Sequence, residues 1–187
     1  TGTNNKEYQA DFFGILHNYI AENPIGVVCD FNGSSRYQSI DRDFFKENNI
    51  NFYTINEFEI SHEIIPEAEN LCYVQQEMER LQKEGFKDAV LGYMPDCDGD
   101  RGNIVYWDEN QQKSIILKAQ EVFSLSVLAE LTYSIWQNSN SSNQTETSFK
   151  PAVAVNCPTS MRINEIVETL GGQLFRAEVG EANVVNL

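Results

Sequence analysis

The sequence predicts an α/β fold, helices packed on a mixed β-sheet, followed by a shorter β-α-β unit. Three observations predict it. Short β-rich runs at 26–31, 52–55 and 89–94 alternate with segments whose apolar residues recur at helical spacing. The run 89–94, Ala-Val-Leu-Gly-Tyr-Met, is continuously apolar, as in strands covered on both faces. A polar, low-complexity stretch over 138–149 then separates two regions patterned in the same way.

Taken in order, Phe12, Phe13, Leu16, Tyr19 and Ile20 predict an amphipathic helix over 6–22, ended by Asn23-Pro24. Gly26–Phe31 reads as a strand stopped by Asn32-Gly33-Ser34-Ser35. A short helix over 41–48 and a strand over 52–55 follow. Pro66 fits the first position of a helix carrying Leu71, Val74, Met78 and Leu81 and closed by Gly85. After the strand 89–94 comes an acidic loop, then a strand over 104–107. A long helix over 119–137 is expected to turn Val122, Leu125, Leu128, Ala129, Leu131 and Ile135 inward. The second region predicts strand 152–155, helix 163–170 stopped by Gly171-Gly172, and strand 173–177. One β-α-β piece is too small for a whole domain. The domains expected are therefore 1–140, a linker over 138–149, and a truncated unit over 150–187. The start at Thr1 and the end at Leu187 fit a piece of a longer protein.

The chain carries 28 acids against 13 bases, a net charge of −15. It repels nucleic-acid phosphates and anionic lipid, so neither is expected as a partner. No apolar run is long enough to span a bilayer. Cys29, Cys72, Cys97 and Cys157 form no CxxC pair, so reduced, mostly buried thiols in a cytoplasmic protein are expected. Three sequons begin at Asn32, Asn140 and Asn143; short sequons arise by chance. His17 and His62 are expected in packing or surface roles.

The strongest chemical signal is Asp96-Cys97-Asp98-Gly99-Asp100-Arg101. Side chains two apart in an extended loop can converge on one cation, and carboxylates are hard ligands suited to Mg²⁺. Without a cation, three such groups repel one another. A solvated acidic turn is the plain alternative, but the loop follows the carboxyl end of a buried strand, where ligands bind in α/β sheets. An EF-hand fails on spacing: with Asp96 as position 1, position 6 is Arg101 instead of Gly and position 12 is Trp107 instead of Glu. Arg101 presents a fork of donors matched to phosphoryl oxygens.

Met94-Pro95-Asp96-Cys97-Asp98-Gly99-Asp100-Arg101 resembles the metal loop of the α-D-phosphohexomutases, the phosphoglucomutases and phosphomannomutases. Gly26–Gly33 resembles the strand and loop opening that family's second domain. Residues 66–71 are similar to its "P…eNL" helix start, 153–160 to the first strand and loop of its third domain, and 176–181 to the turn that follows.

The resemblance implies a four-domain enzyme that interconverts hexose 1- and 6-phosphates through a phosphoserine and a bisphosphorylated sugar. It implies Mg²⁺ held by Asp96, Asp98 and Asp100, Arg101 on the phosphoryl group, and Glu181 as a candidate substrate contact. Asn156 and Arg162 are weaker candidates. The serine loop, the sugar loop and the fourth domain have no counterpart here, and Ser34 and Ser35 read as loop-structural. The partners implied are a phosphosugar and the remaining domains, with the piece alone expected to be inactive. The rivals are a non-catalytic binding or regulatory protein that kept the fold, and a hydrolase with an aspartate nucleophile; the latter lacks the further lysine and acids it needs.

Overall fold

A computed structural model describes residues 6–139 and 150–186. It divides the chain into two compact units, residues 1–119 and 120–187.

The first unit opens with helix α1 (Lys6–Glu22), strand β1 (Gly26–Asp30) and, after a 3-10 turn over Ser35–Gln38, helix α2 (Asp41–Glu47). Strand β2 (Asn51–Ile55), helix α3 (Cys72–Glu84) and strands β3 (Ala89–Pro95), β4 (Gly102–Asp108) and β5 (Lys113–Ile116) complete it. The strands form one sheet in the order β2-β1-β3-β4-β5. β2, β1 and β3 are parallel, while β4 and β5 run antiparallel, so the sheet is mixed as expected. β1 is buried at every position because it has a strand on each edge. Its Val28 joins Leu71, Val74, Met78 and Leu81 of the α3 region with Ala89, Met94 and Val105 in a single core. Gly92 lets α3 approach: a Cβ there would collide with Val74 and lie 2.9 Å from Met78 Sδ.

α3 starts at Cys72 and not at Pro66. The Asn70 side chain donates to the Ile65 carbonyl at 2.9 Å, and the Asn70 and Leu71 amides both turn back to Glu67. These bonds close a separate turn that competes with helix. Its end matches expectation: Gly85 takes a left-handed φ of 98° and returns its amide to Leu81 and Gln82. The segment 60–65, unreadable as sequence, is tied down by Asn32. That side chain accepts from the Ser61 and His62 amides and donates to the His62 and Glu63 carbonyls. Asn32 is therefore 2% exposed and no glycosylation acceptor. Asn140 and Asn143 lie outside the described residues.

The second unit holds α4 (Ala119–Ser139, counted here from Gln120), β6 (Ala152–Asn156), α5 (Arg162–Thr169), β7 (Gln173–Ala177) and α6 (Glu181–Val185). β6 and β7 pair in parallel. Val127 and Leu131 of α4 pack with Val155, Ile163 and Val167. That packing moves the boundary from the expected 140 to 119, because α4 shares its core with the second unit. The inward face of α4 differs in part from expectation: Leu131 is buried as expected and so are Ser124 and Val127, while Leu125, Leu128 and Ala129 are exposed. Among the described residues no helix is long and apolar enough to cross a membrane. All four cysteines are free, but only Cys29 is buried and Cys97 and Cys157 are exposed, against the expectation of mostly buried thiols.

Candidate metal centre

Pro95 and Gly102 are the last paired residues of the β3–β4 hairpin, so residues 96–101 are its connection. β3 runs parallel to β1, which brings this connection to the same sheet end as the turn after β1. Hydrogen bonds clasp one to the other. Ser34 Oγ donates to the Asp96 carbonyl at 2.6 Å, the Ser35 amide to the Cys97 carbonyl at 3.0 Å, and Ser35 Oγ to the Asp98 carbonyl at 3.1 Å. Both serines thus have the loop-structural role expected of them.

The three aspartates come together as the spacing predicts. One carboxylate oxygen from each of Asp96, Asp98 and Asp100 lies within 4.8 Å of the others. Their environments differ. Asp96 is buried, and its Oδ1 accepts the Gly99 amide at 3.0 Å and the Arg101 amide at 3.1 Å. Its Oδ2 takes Arg101 Nε at 2.8 Å. Burial alone would raise the Asp96 carboxyl, but the Arg101 amide and guanidinium, with help from Asp100, hold it below the usual range. Asp100 goes the other way: the charge of Asp98 foremost, then burial and Asp96, push it up.

Such unequal carboxylates are what crowded negative charge produces when one local cation serves three acids. Arg101 serves Asp96 and sits 3.6 Å from Asp100, while 71% of its side chain stays exposed. The donor set therefore fits a hard divalent cation: three oxygen ligands, residual repulsion, and one ligand already fixed in orientation.

Glu181, the candidate substrate contact, is exposed as the first residue of α6 in the second unit. Asn156 caps the following turn there, its Oδ1 accepting the Gly180 amide at 3.2 Å, and Arg162 lies 3.4 Å from Glu121. His17 is bonded to Asn48 at 2.9 Å. His62, by contrast, is a buried partner of Asp30, with Nε2 2.7 Å from Oδ2 and its ring stacked on Tyr73 at 4.0 Å. Sequence reading also passed over Arg36, whose stem lies against Gly99, and Asp41 and Tyr93, which are linked to it by hydrogen bonds. An Asp41 opening a helix and an Arg five residues before it were visible, but not their bearing on residue 99.

No protein-family model matches the chain, and no curated protein matches it by sequence. Solved structures do. A phosphoglucomutase/phosphomannomutase family protein from Burkholderia thailandensis aligns over 92% of this chain with a TM-score of 0.64 and 16% identity. A putative phosphomannomutase from Thermus thermophilus aligns over 92% with a TM-score of 0.55 and 15% identity. An N-acetylglucosamine-phosphate mutase of the α-D-phosphohexomutase superfamily aligns over 94% with a TM-score of 0.53 and 16% identity. The chain thus has an α/β fold shared with phosphosugar mutases. It spans 34%, 36% and 38% of those three proteins.

Proposed function

We propose that this chain is the magnesium-binding part of a phosphohexomutase that interconverts hexose 1-phosphate and hexose 6-phosphate. One observation carries the reading: three convergent carboxylates followed by Arg101, at the carboxyl end of a central strand, on a fold shared with phosphosugar mutases. Asp96, Asp98 and Asp100 would hold Mg²⁺, which when bound neutralises charge on a phosphoryl oxygen. Arg101, anchored through Nε by Asp96, keeps the rest of its guanidinium for phosphoryl oxygens. Positioning and charge neutralisation are most of what phosphoryl transfer asks of a protein. The serine that carries the phosphoryl group, and the groups that read the sugar, would belong to other parts of a larger enzyme. Glu181 is the one substrate contact proposed from the second unit.

The test is a titration of the chain with Mn²⁺, followed by electron paramagnetic resonance, with Mg²⁺ as competitor. One saturable site is expected, weakened more than about tenfold by Asp98→Ala, since even outer partners of metal ligands are worth about that much. The circular dichroism of the variant should match that of the parent. Equal affinity in the variant would sink the assignment. Glucose 1-phosphate should not turn over on this chain alone.

A further inference from the structure

We propose that Arg36 is a positioning residue for the acidic loop, its hydrocarbon stem forming the floor under Gly99; the proposal rests on the metal reading above. Gly99 sits between Asp98 and Asp100 with a left-handed φ of 81°. A Cβ at Gly99 would lie 2.5 Å from Arg36 Cγ and 2.6 Å from Cδ, and 3.7 Å from Ser35 Oγ. The glycine backbone therefore rests directly on the arginine stem, and any movement of the stem swings two of the three carboxylates.

The stem is held from its far end. Arg36 Nε donates to Asp41 Oδ2 at 3.0 Å, and Nη2 donates to Oδ1, a two-point grip. Asp41 is 5% exposed and also accepts the Tyr93 hydroxyl at 3.2 Å. Tyr93 belongs to β3, the strand that leads into the loop. The contacts close a ring: Arg36 to Asp41, Asp41 to Tyr93, along β3 into the loop, and from Gly99 back to Arg36. The Ser34 and Ser35 bonds brace the same ring from the adjoining residues.

The chemistry suits a support and not a ligand. Asp41 neutralises the guanidinium, so a cation in the loop is not opposed by a bare positive charge nearby. The carboxylates are placed before the cation arrives, which lowers the ordering cost of binding. Arg36 lies outside the apolar core of its unit. Its loss should therefore be felt at the loop beyond the fall in stability that comes from leaving the buried Asp41 without its guanidinium.

The test uses the whole chain as parent, Arg36→Ala, Arg36→Lys, Gly99→Ala and the Arg36→Ala/Gly99→Ala double variant. Mn²⁺ affinity is read by paramagnetic resonance, and amide exchange at Gly99 and Arg101 by NMR without metal. Arg36→Ala should weaken Mn²⁺ about tenfold, as expected for an outer partner of the ligands. It should also speed exchange of both amides, which Asp96 Oδ1 holds. The urea midpoint read from Trp107 should fall in Arg36→Ala, which leaves the buried Asp41 without its guanidinium, and recover in a further variant, Arg36→Ala/Asp41→Asn, in which affinity and exchange stay impaired. Arg36→Lys, which keeps the stem and charge, should recover most of the affinity. Gly99→Ala should cost less affinity in the Arg36→Ala background than in the parent, because the collision is gone. Unchanged affinity and exchange in Arg36→Ala overturn the proposal, as does a return of both to parent values in Arg36→Ala/Asp41→Asn along with the Trp107 midpoint. A parent that fails to bind Mn²⁺ sinks the metal reading instead. Amide exchange then decides alone, faster exchange in Arg36→Ala upholding the support role and equal exchange ending it.

Discussion

β1-α2-β2 in the first unit and β6-α5-β7 in the second are one device built twice: two parallel five-residue strands joined through a short helix. The strand sequences look equally suited, Gly-Val-Val-Cys-Asp against Ala-Val-Ala-Val-Asn. Their burial is not equal. β1 has β2 on one edge and β3 on the other and is buried throughout, while β6 has β7 as its one partner among the described residues and buries only Val155. Apolarity makes a strand eligible for a core; its neighbours decide whether it enters one.

The comparison can be broken at matched positions, because the registers Gly26↔Asn51 and Ala152↔Gln173 align the two devices residue by residue. Trp107 lies in the first unit and Trp136 in the second. Single-tryptophan variants, Trp136→Phe and Trp107→Phe, therefore report urea unfolding of each unit separately.

The largest effect is expected at the strand ends. Asp30 closes β1, fully buried, against His62, the Asn32 amide and the Asn56 side chain. His62→Ala strips a buried acid of its ring partner and should lower first-unit stability by about 3 kcal/mol. The side chain of Asn156, the matched residue, makes a single hydrogen bond among those described, accepting the Gly180 amide, so Asn156→Ala should cost the second unit about 1 kcal/mol. Equal losses would mean that the His62–Asp30 pair is no stronger a tether than one neutral bond.

A smaller effect is expected one layer in. Val27→Ala should cost about 2 kcal/mol, and Val153→Ala, at the matched but only half-buried position, about 1 kcal/mol. Urea midpoints from the two tryptophans check this, and equal values would show that the β1 environment adds nothing.

The smallest effect depends on pH. Tyr53 is pushed up to about 12, by burial first and then by the hydrogen bond and charge of Asp88. The unfolded chain releases the same proton near pH 10. Below about pH 10 both states keep it and the contribution is complete; between about 10 and 12 the unfolded state ionises first and the contribution is lost. The matched residue in β7 is Phe175, which has no proton to lose. Parent minus Tyr53→Phe, read at Trp107, should therefore decline across that window. The same difference read at Trp136 should stay flat.

The acidic loop was legible because its chemistry is local: three aspartates at alternate positions must meet wherever the chain turns there. The clasp around it was not. Ser34 and Ser35 reach the loop across more than sixty residues of sequence, and Arg36 meets Gly99 across a similar gap. β5 and α6 also escaped notice, being too short for periodicity to declare itself. The α4 face was misjudged for another reason. Apolar and polar residues are spread around the helix without a single apolar stripe, so its pattern leaves the buried side open until a partner surface selects Val127 and Leu131.

The sequence by itself determined the alternation of strands and helices, the turn at Gly85 and the acidic loop, because each depends on residues within a few positions of one another. Only the tertiary structure decided which strand would be buried on both edges, which face of α4 would turn inward, and what would stand beneath Gly99. Those outcomes depend on surfaces brought together from distant parts of the chain, and no local pattern encodes which surface will arrive.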